Sequence, residues 1–348
     1  MDSQQRLDAH VRAIIHHHFS AETGTPYWLR FAETCGWNPL TDIQHFEDLE
    51  RFGPFDKQRI KTAPHEDWTP RGLVDRPPHV FETGGTTGMP TQRLSWEDHL
   101  IDYRAYAASL PDSHFSPGGA WLIVGPTGPR RLRLTMEYLA NQRGCLAYHV
   151  DLDPRWVRRC IANGDVDGAK AYQQHVIDQA VTLLKHRTVD AIFTTPRLLE
   201  AIGEAIDLTE TSVRAVLCGG TSMPPQTIRF LVEEILEDQI LFIPVYGNTL
   251  MGLATAEPVG PHNGWEVVYH APQPRAVLRV LGPDGRVVPY GSRGRVQLTT
   301  LTREFFMPNL LERDEATRRP PTEAFPWDGV GDVRPWTDPN QTVIEGVY

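Results

Sequence analysis

The chain of 348 residues is 40% hydrophobic and 22% charged, and its formal net charge is -10. That length accommodates about two domains at roughly 100–200 residues each, or one large α/β domain with an appendage. The acidic balance argues against nucleic acid as the main partner, because phosphate backbones are held by Lys and Arg; a small anionic ligand stays open, since local fields can oppose the net charge.

Residues 1–78 read as a helical N-terminal segment. Leu7, Val11, Ile14, Ile15 and Phe19 recur at helical spacing. Thr41 or Asp42 is placed to cap a helix that ends before Gly53-Pro54. The chain starts with no basic region followed by an apolar core, and no run approaches the roughly 18 apolar residues of a membrane span. Cys35, Cys145, Cys160 and Cys218 lack CxxC spacing, so reduced thiols in a cytoplasmic protein off the membrane are expected.

From 79 to 255, short apolar runs alternate with longer amphipathic ones. Strands are expected at 78–82, 120–125, 145–150, 190–195, 213–219 and 240–246, and helices at 95–109, 131–143, 167–187, 196–206 and 224–237. This alternation predicts the α/β class, with a mostly parallel sheet flanked by helices. From 256 to 348, strands at 265–270, 275–281 and 294–301 predict a smaller antiparallel β subdomain, and the proline- and charge-rich segment 307–328 reads as a long loop.

Chemistry concentrates at four turns. The stretch ETGGTTGMPTQ at 82–92 follows a predicted strand and precedes the helix expected at 95. Gly84, Gly85 and Gly88 allow close backbone approach, and consecutive N–H groups in such a turn make an anion-binding nest. The helix start behind it would favour negative charge, so phosphate is the natural guest. A Walker A loop needs a lysine after its last glycine, and none follows here. The turn LCGGTSMPPQ at 217–226 runs from a strand end into a helix opened by Pro224, which is also what an ordinary βα turn looks like. VYGNTLMG at 245–252 offers a flat ring, an amide and a hydroxyl. GVGD at 329–332 ends on Asp332, whose carboxylate can accept two hydroxyls.

Taken in order, GGTTGMPT at 84–91, GGT at 219–221, YGNT at 246–249 and GD at 331–332 resemble the adenylate-forming superfamily of acyl-CoA ligases, adenylation domains and luciferases. Thr91 after the proline, TPRLLEAI at 195–202 and LTTLTRE at 298–304 are similar to its phenylacetate–CoA ligase branch. VYGNTLMG and the chain length are similar to shortened adenylating proteins of phenazine antibiotic biosynthesis. The resemblance implies an ATP/AMP site: Thr83, Gly85, Thr86, Thr87 and Gly88 at the phosphates, with Thr86 and Thr87 on the β and γ groups. Gly219, Gly220 and Thr221 would border the adenine, Tyr246 stack on it, and Gly247 and Asn248 lie at its edge. Thr249 would meet the α-phosphate, serving catalysis with Thr86, and Asp332 would hold the ribose. The acid substrate would lie among Gly125, His149 and Tyr246, although a lone histidine at a strand end is more often structural.

Two departures bear on the chemistry. The family usually carries a Mg²⁺-binding glutamate after YGxT; here Leu250 follows, so Mg²⁺ stays open as a cofactor only where Glu82 or another carboxylate substitutes, and no residue is assigned as its ligand. The family's C-terminal lid domain, with its catalytic lysine, is expected to be absent, and the last lysine of this chain is Lys185. The resemblance implies a cytoplasmic ligase that activates an aromatic carboxylic acid in secondary metabolism. A reductase, CoA or a carrier protein would act as acceptor, and the chain would pair as a homodimer. The alternative is a degenerate, non-catalytic adenylating fold that holds nucleotide or aryl acid as a scaffold or carrier.

Overall fold

The computed structural model describes residues 2–83, 89–128 and 131–336. Its helices are α1 (Ser3–Phe19), α2 (Pro26–Thr34), α3 (Pro39–Asp42), α4 (Gln58–Thr62), α5 (His65–Trp68), α6 (Asp98–Ser109), α7 (Arg131–Gln142), α8 (Pro154–Ala162), α9 (Val166–His186), α10 (Pro196–Ala205) and α11 (Pro225–Phe230). Its strands are β1 (His79–Glu82), β2 (Gln92–Ser95), β3 (Ala120–Gly125), β4 (Leu146–Asp151), β5 (Ala191–Thr194), β6 (Ala215–Gly219), β7 (Leu241–Asn248), β8 (Gly252–Ala256), β9 (Val268–His270), β10 (Ala276–Leu281), β11 (Arg293–Leu301), β12 (Phe306–Arg319) and β13 (Gly329–Pro335). Two units emerge: the first holds residues up to Asp102, Gly247–Ala254 and Tyr269–Gly331, and the second holds Tyr103–Tyr246, Thr255–Val268 and the residues from Asp332 on.

The first unit is built on α1. Asp2 caps it in a reciprocal capping box with Gln5, and its stripe Leu7, Val11, Ile14, Ile15 and Phe19 is buried. The stripe packs with Trp28, Ile43, Phe46, Leu49, Val277, Leu301 and Phe306. Burying such side chains contributes about 1.5–3 kcal/mol each. His18, on the same helix, is fully buried between the Thr25 hydroxyl (2.7 Å) and the Thr302 carbonyl (2.7 Å). Strands β10, β11 and β12 form an antiparallel ribbon, as the sequence predicts for this region.

Three local expectations are corrected. The segment 307–328 is not a loop over its first half, because β12 runs through it to Arg319. Its proline and charges misled. Pro308 sits where the β11–β12 register shifts between the Leu298–Leu310 and Thr300–Met307 pairs, and bulges are where strands tolerate proline. Its charges find partners nearby, with Glu315 at 3.5 Å from Arg293 and Arg318 at 2.7 Å from Asp328. Second, Thr41 and Asp42 do not start a helix; they lie in the short α3, capped by Asn38, and a separate 3₁₀ turn covers Glu47–Phe52. Third, the helix expected from 95 begins only at Asp98, because Gln92–Ser95 forms β2. β2 pairs antiparallel with β1, so the Gly/Thr loop closes a hairpin. Along the chain, β2 therefore stands between that loop and α6.

In the second unit the strands run β7-β6-β5-β3-β4, all parallel. β3, β5 and β6 are buried throughout, as near-continuous apolar strands with covered faces should be. Helices α7 and α9 pack against β3 and β4, and α10 against β6. The class is α/β: a large, mostly parallel sheet flanked by helices, with a smaller antiparallel part. The helix α8, which the sequence pattern missed, packs on α9. Among the described residues, no helix is long and apolar enough to cross a membrane.

Candidate functional site

Gly84, Gly85, Thr86, Thr87 and Gly88 lie outside the described residues, but the stem that carries them does not. The Thr83 N–H donates to the Thr91 carbonyl (3.0 Å), and the Thr91 N–H donates to the Thr83 hydroxyl (2.9 Å). One residue farther down, Glu82 and Gln92 face each other across the ladder, and the Gln92 amide donates to the Glu82 carboxylate at 2.9 Å. His65 on α5 meets the other end of that amide, 2.8 Å from Gln92 Oε1.

The turn YGNTL is bound to this stem. A Cβ on Gly247 would stand 2.6 Å from the Gly252 carbonyl oxygen, so only glycine fits. Asn248 Oδ1 accepts the N–H groups of Leu250 (2.9 Å) and Met251 (2.7 Å), which forms the turn. Its Nδ2 donates to Glu312 Oε1 at 3.3 Å. The Thr249 hydroxyl donates to the Glu82 carbonyl at 3.0 Å. The Leu250 carbonyl accepts from the Arg93 guanidinium (2.6 Å) and from the Thr300 hydroxyl (3.0 Å). Two motifs about 160 positions apart in the sequence are thus held together by β1 and β2.

Two consequences follow for the residues read from the sequence. The only hydrogen-bond donor of the Thr249 side chain is committed to backbone, so meeting an α-phosphate would require it to turn away from Glu82. Leu250 is 1% exposed and offers no oxygen to a cation. The carboxylate bonded to this turn is that of Glu312, through Asn248; Glu312 is buried, and its Oε2 stands 3.7 Å from Lys57 Nζ. Among the described residues, no group of three or more His, Cys, Asp or Glu is placed to hold a metal ion. Glu312 escaped sequence reasoning because it sits in the segment taken as a loop, and only the register of β12 brings it to Asn248.

In the second unit, parallel strands bring Gly125, Gly219 and Tyr246 to the carboxyl edge of one sheet, where α/β folds bind ligands. Gly219 lies opposite Val245 in the ladder, next to Tyr246. A Cβ on Gly219 would come within 2.3 Å of the Val245 carbonyl oxygen, and Gly220 has φ +96°. The glycine pair is therefore required by strand contact and turn geometry whatever it binds. Thr221 is half-buried ahead of α11, whose cap is Pro224. Asp332 is half-buried and left-handed, with φ 45°. Such a conformation costs free energy in most residues but is tolerated by Asp.

His149 lies on β4, at the far end of the strand order from β7. With strands about 4.8 Å apart, that is about 19 Å from the strand of Tyr246. Its Nδ1 is buried without a hydrogen-bond partner, and burial pushes the imidazole pKa down, which favours the neutral ring. Gly125 sits one strand nearer, followed by Thr127, whose N–H (2.8 Å) and hydroxyl (2.6 Å) both donate to Asp151. The sheet thus groups Gly219, Gly220 and Tyr246 closely, and it holds His149 apart from them.

No family profile matches the sequence, and no curated protein matches it. Solved structures do. The fold is similar to that of 2-hydroxyisobutyryl-CoA ligase in complex with 2-HIB-AMP and CoA in the thioesterification state, with TM-score 0.67 and 17% identity over 96% of this chain and 68% of that one. An open conformation of that ligase with the same ligands gives TM-score 0.63 and 16% identity over 94% and 68% of the two chains. Its postadenylation state with R3-HIB-AMP gives 0.63 and 17% over 92% and 64%. The chain has the adenylate-forming ligase fold and spans about two thirds of the length of those ligase chains.

Proposed function

We propose that this chain binds ATP and activates an aromatic carboxylic acid to its acyl-adenylate, in secondary metabolism of the phenazine type. An acceptor protein or thiol, such as a reductase, a carrier protein or CoA, would then take the acyl group. In the step itself, a carboxylate oxygen bonds to the α-phosphorus of ATP while the bond to the β,γ-diphosphate breaks, and pyrophosphate leaves. Catalysis of this kind rests on positioning and on stabilising charge. Thr83, Gly85, Thr86, Thr87 and Gly88 would cradle the phosphates. Gly219, Gly220, Thr221, Tyr246, Gly247 and Asn248 would surround the base, Asp332 would hold the ribose, and Thr249 would meet the α-phosphate. Gly125, His149 and Tyr246 would contact the acid.

The observation that carries this reading is the hydrogen-bonded union of the YGNT turn with the stem of the Gly/Thr loop, in a chain with the adenylate-forming ligase fold. The expected result is acid-dependent exchange of radiolabelled pyrophosphate into ATP with at least one member of an aryl-acid panel, assayed with and without magnesium. ATP binding with no exchange for any acid would sink the stand-alone enzyme. Replacing Asp332 by alanine should weaken ATP binding about tenfold by calorimetry, the loss expected for two hydroxyl contacts to a carboxylate; unchanged affinity would refute the ribose role.

A second reading, a non-catalytic nucleotide or aryl-acid carrier, is favoured by one feature. The Thr249 proton is engaged by Glu82, and the buried Leu250 beside it brings no charge to the phosphates. ATP binding without exchange is the result that reading expects.

A further inference from the structure

Helix α10 starts at the carboxyl end of β5, and the residue at its cap makes no capping bond. The first N–H groups of any helix find no acceptor within it. Pro196, at the first position, has no N–H to offer. Those of Arg197 and Leu198 remain, and among the described residues neither meets an acceptor. Thr195 holds the cap position in extended backbone, where a threonine hydroxyl ordinarily accepts one of these N–H groups. Here the Thr195 hydroxyl is buried, in a residue 2% exposed, and has no hydrogen-bond partner at all.

The turns on both sides leave room. β5 lies between β3 and β6. A Cβ added to Gly220, on the exposed turn after β6, would meet only Thr195 Cγ2, at 3.5 Å, beyond its chain neighbours. A Cβ added to Gly125, at the end of β3, would meet only Phe193 Cε1, at 3.9 Å. The chemistry beside Thr195 has one sign. The unused groups are N–H and O–H donors, the positive end of the helix dipole adds to them, and the first turn carries no acidic residue. Thr194 also has a buried hydroxyl without a partner. Successive side chains of a strand point to opposite faces, so that hydroxyl belongs to the other side of the sheet.

We propose that the N-terminus of α10 is an oxyanion-binding site. The Thr195 hydroxyl and the Arg197 and Leu198 N–H groups donate to an oxygen of a carboxylate or of a phosphate, the two groups that helix N-termini hold. The site goes beyond the adenylation reading. None of its three donors is among the nucleotide or acid contacts given above, and it holds an anion whether or not the chain activates an acid.

The test is thermal unfolding of the whole chain in rising phosphate or acetate, with ionic strength held constant by chloride. An anion bound only by the folded chain raises the melting temperature, so wild type should show a saturable rise with at least one of the two. A rise with phosphate alone would make a phosphate the natural occupant, a rise with acetate alone a carboxylate, and a rise with both any oxyanion. Thr195→Val keeps the shape and removes the hydroxyl. It should weaken the anion about tenfold, the loss of one hydrogen bond to a charged group. Its melting temperature without anion should stay at or above the wild-type value, because the hydroxyl removed had no partner. Thr194→Val makes the same change on the other face and should keep wild-type anion affinity. A lower melting temperature for Thr195→Val without anion would show that the hydroxyl caps α10 in solution, and would overturn the proposal. Equal affinity in wild type and both variants would do the same, as would the absence of a saturable rise with either anion. ATP affinity and pyrophosphate exchange are separate readouts, so failure of the adenylation reading leaves this result legible.

Discussion

Replacing Glu304 by alanine is expected to lower the stability of the first unit by about 4 kcal/mol, among the largest effects a single side chain can have. Glu304 is 6% exposed. Its Oε2 accepts the Ser95 hydroxyl and the Trp96 N–H, both at 2.8 Å. Its Oε1 accepts the Asp98 N–H at 2.8 Å and the Glu97 N–H. The Glu304 N–H in turn donates to Asp98 Oδ2 at 2.9 Å. The carboxylate therefore serves as the cap of α6 from 206 positions away, with its charge at the positive end of the helix. Removing it strands several buried donors, each costing about 1–3 kcal/mol, partly offset where water enters. Glu304→Gln should cost less, because one oxygen still accepts. The measurement is urea unfolding followed by tryptophan fluorescence, with the slope checked for constancy. A loss under about 1 kcal/mol would show that the cap is dispensable.

Acid should destabilise the same unit through His18. The Thr302 carbonyl can only accept, so His18 Nε2 carries the proton and Nδ1 accepts from the Thr25 hydroxyl. Complete burial pushes the imidazole pKa from 6.5 down to about 3. The folded value lies below the unfolded one, so the stabilising contribution is fully present above about pH 6.5. As pH falls from there toward 3, the unfolded chain takes up a proton that the folded chain refuses. Stability should then drop by up to about 1.4 kcal/mol per pH unit. Burial also lowers the pKa values of His10 and His17, which adds slope of the same sign. The His18→Gln variant isolates the effect: its amide can donate to Thr302 and accept from Thr25 without titrating. Its stability profile between pH 6.5 and 4 should be flatter than that of the wild type. Parallel profiles would refute the assignment.

The sequence pattern made the α/β class legible for a simple reason. β3, β5 and β6 are buried on both faces, so they are apolar throughout, and their short runs stand out between amphipathic helices. The stripe on α1 was legible because one face alone is buried. β2 was not, because four residues leading into a helical pattern carry too little periodicity. β12 was hidden because its glutamates answer to Arg293 and Lys57, partners that no local window contains.

The glycines of the candidate site were visible as residue types, but their reasons were not. Gly247 and Gly219 are demanded by carbonyl oxygens at 2.6 and 2.3 Å, contacts that depend on strand pairing. The TRE of 302–304 was visible as a resemblance; the structure gives its glutamate a capping role at α6.

By itself, the sequence determined where the chain turns, which strands are buried and which hydroxyl and glycine types crowd each turn, because local sterics and hydrophobic periodicity act over a few residues. Only the tertiary structure decided that the strands on either side of the Gly/Thr loop pair with each other, that Thr249 is tied to Glu82, and that Glu312 meets Asn248. Those facts depend on strand register and on packing between distant segments, where the partner, and not the residue's own neighbourhood, sets the energy.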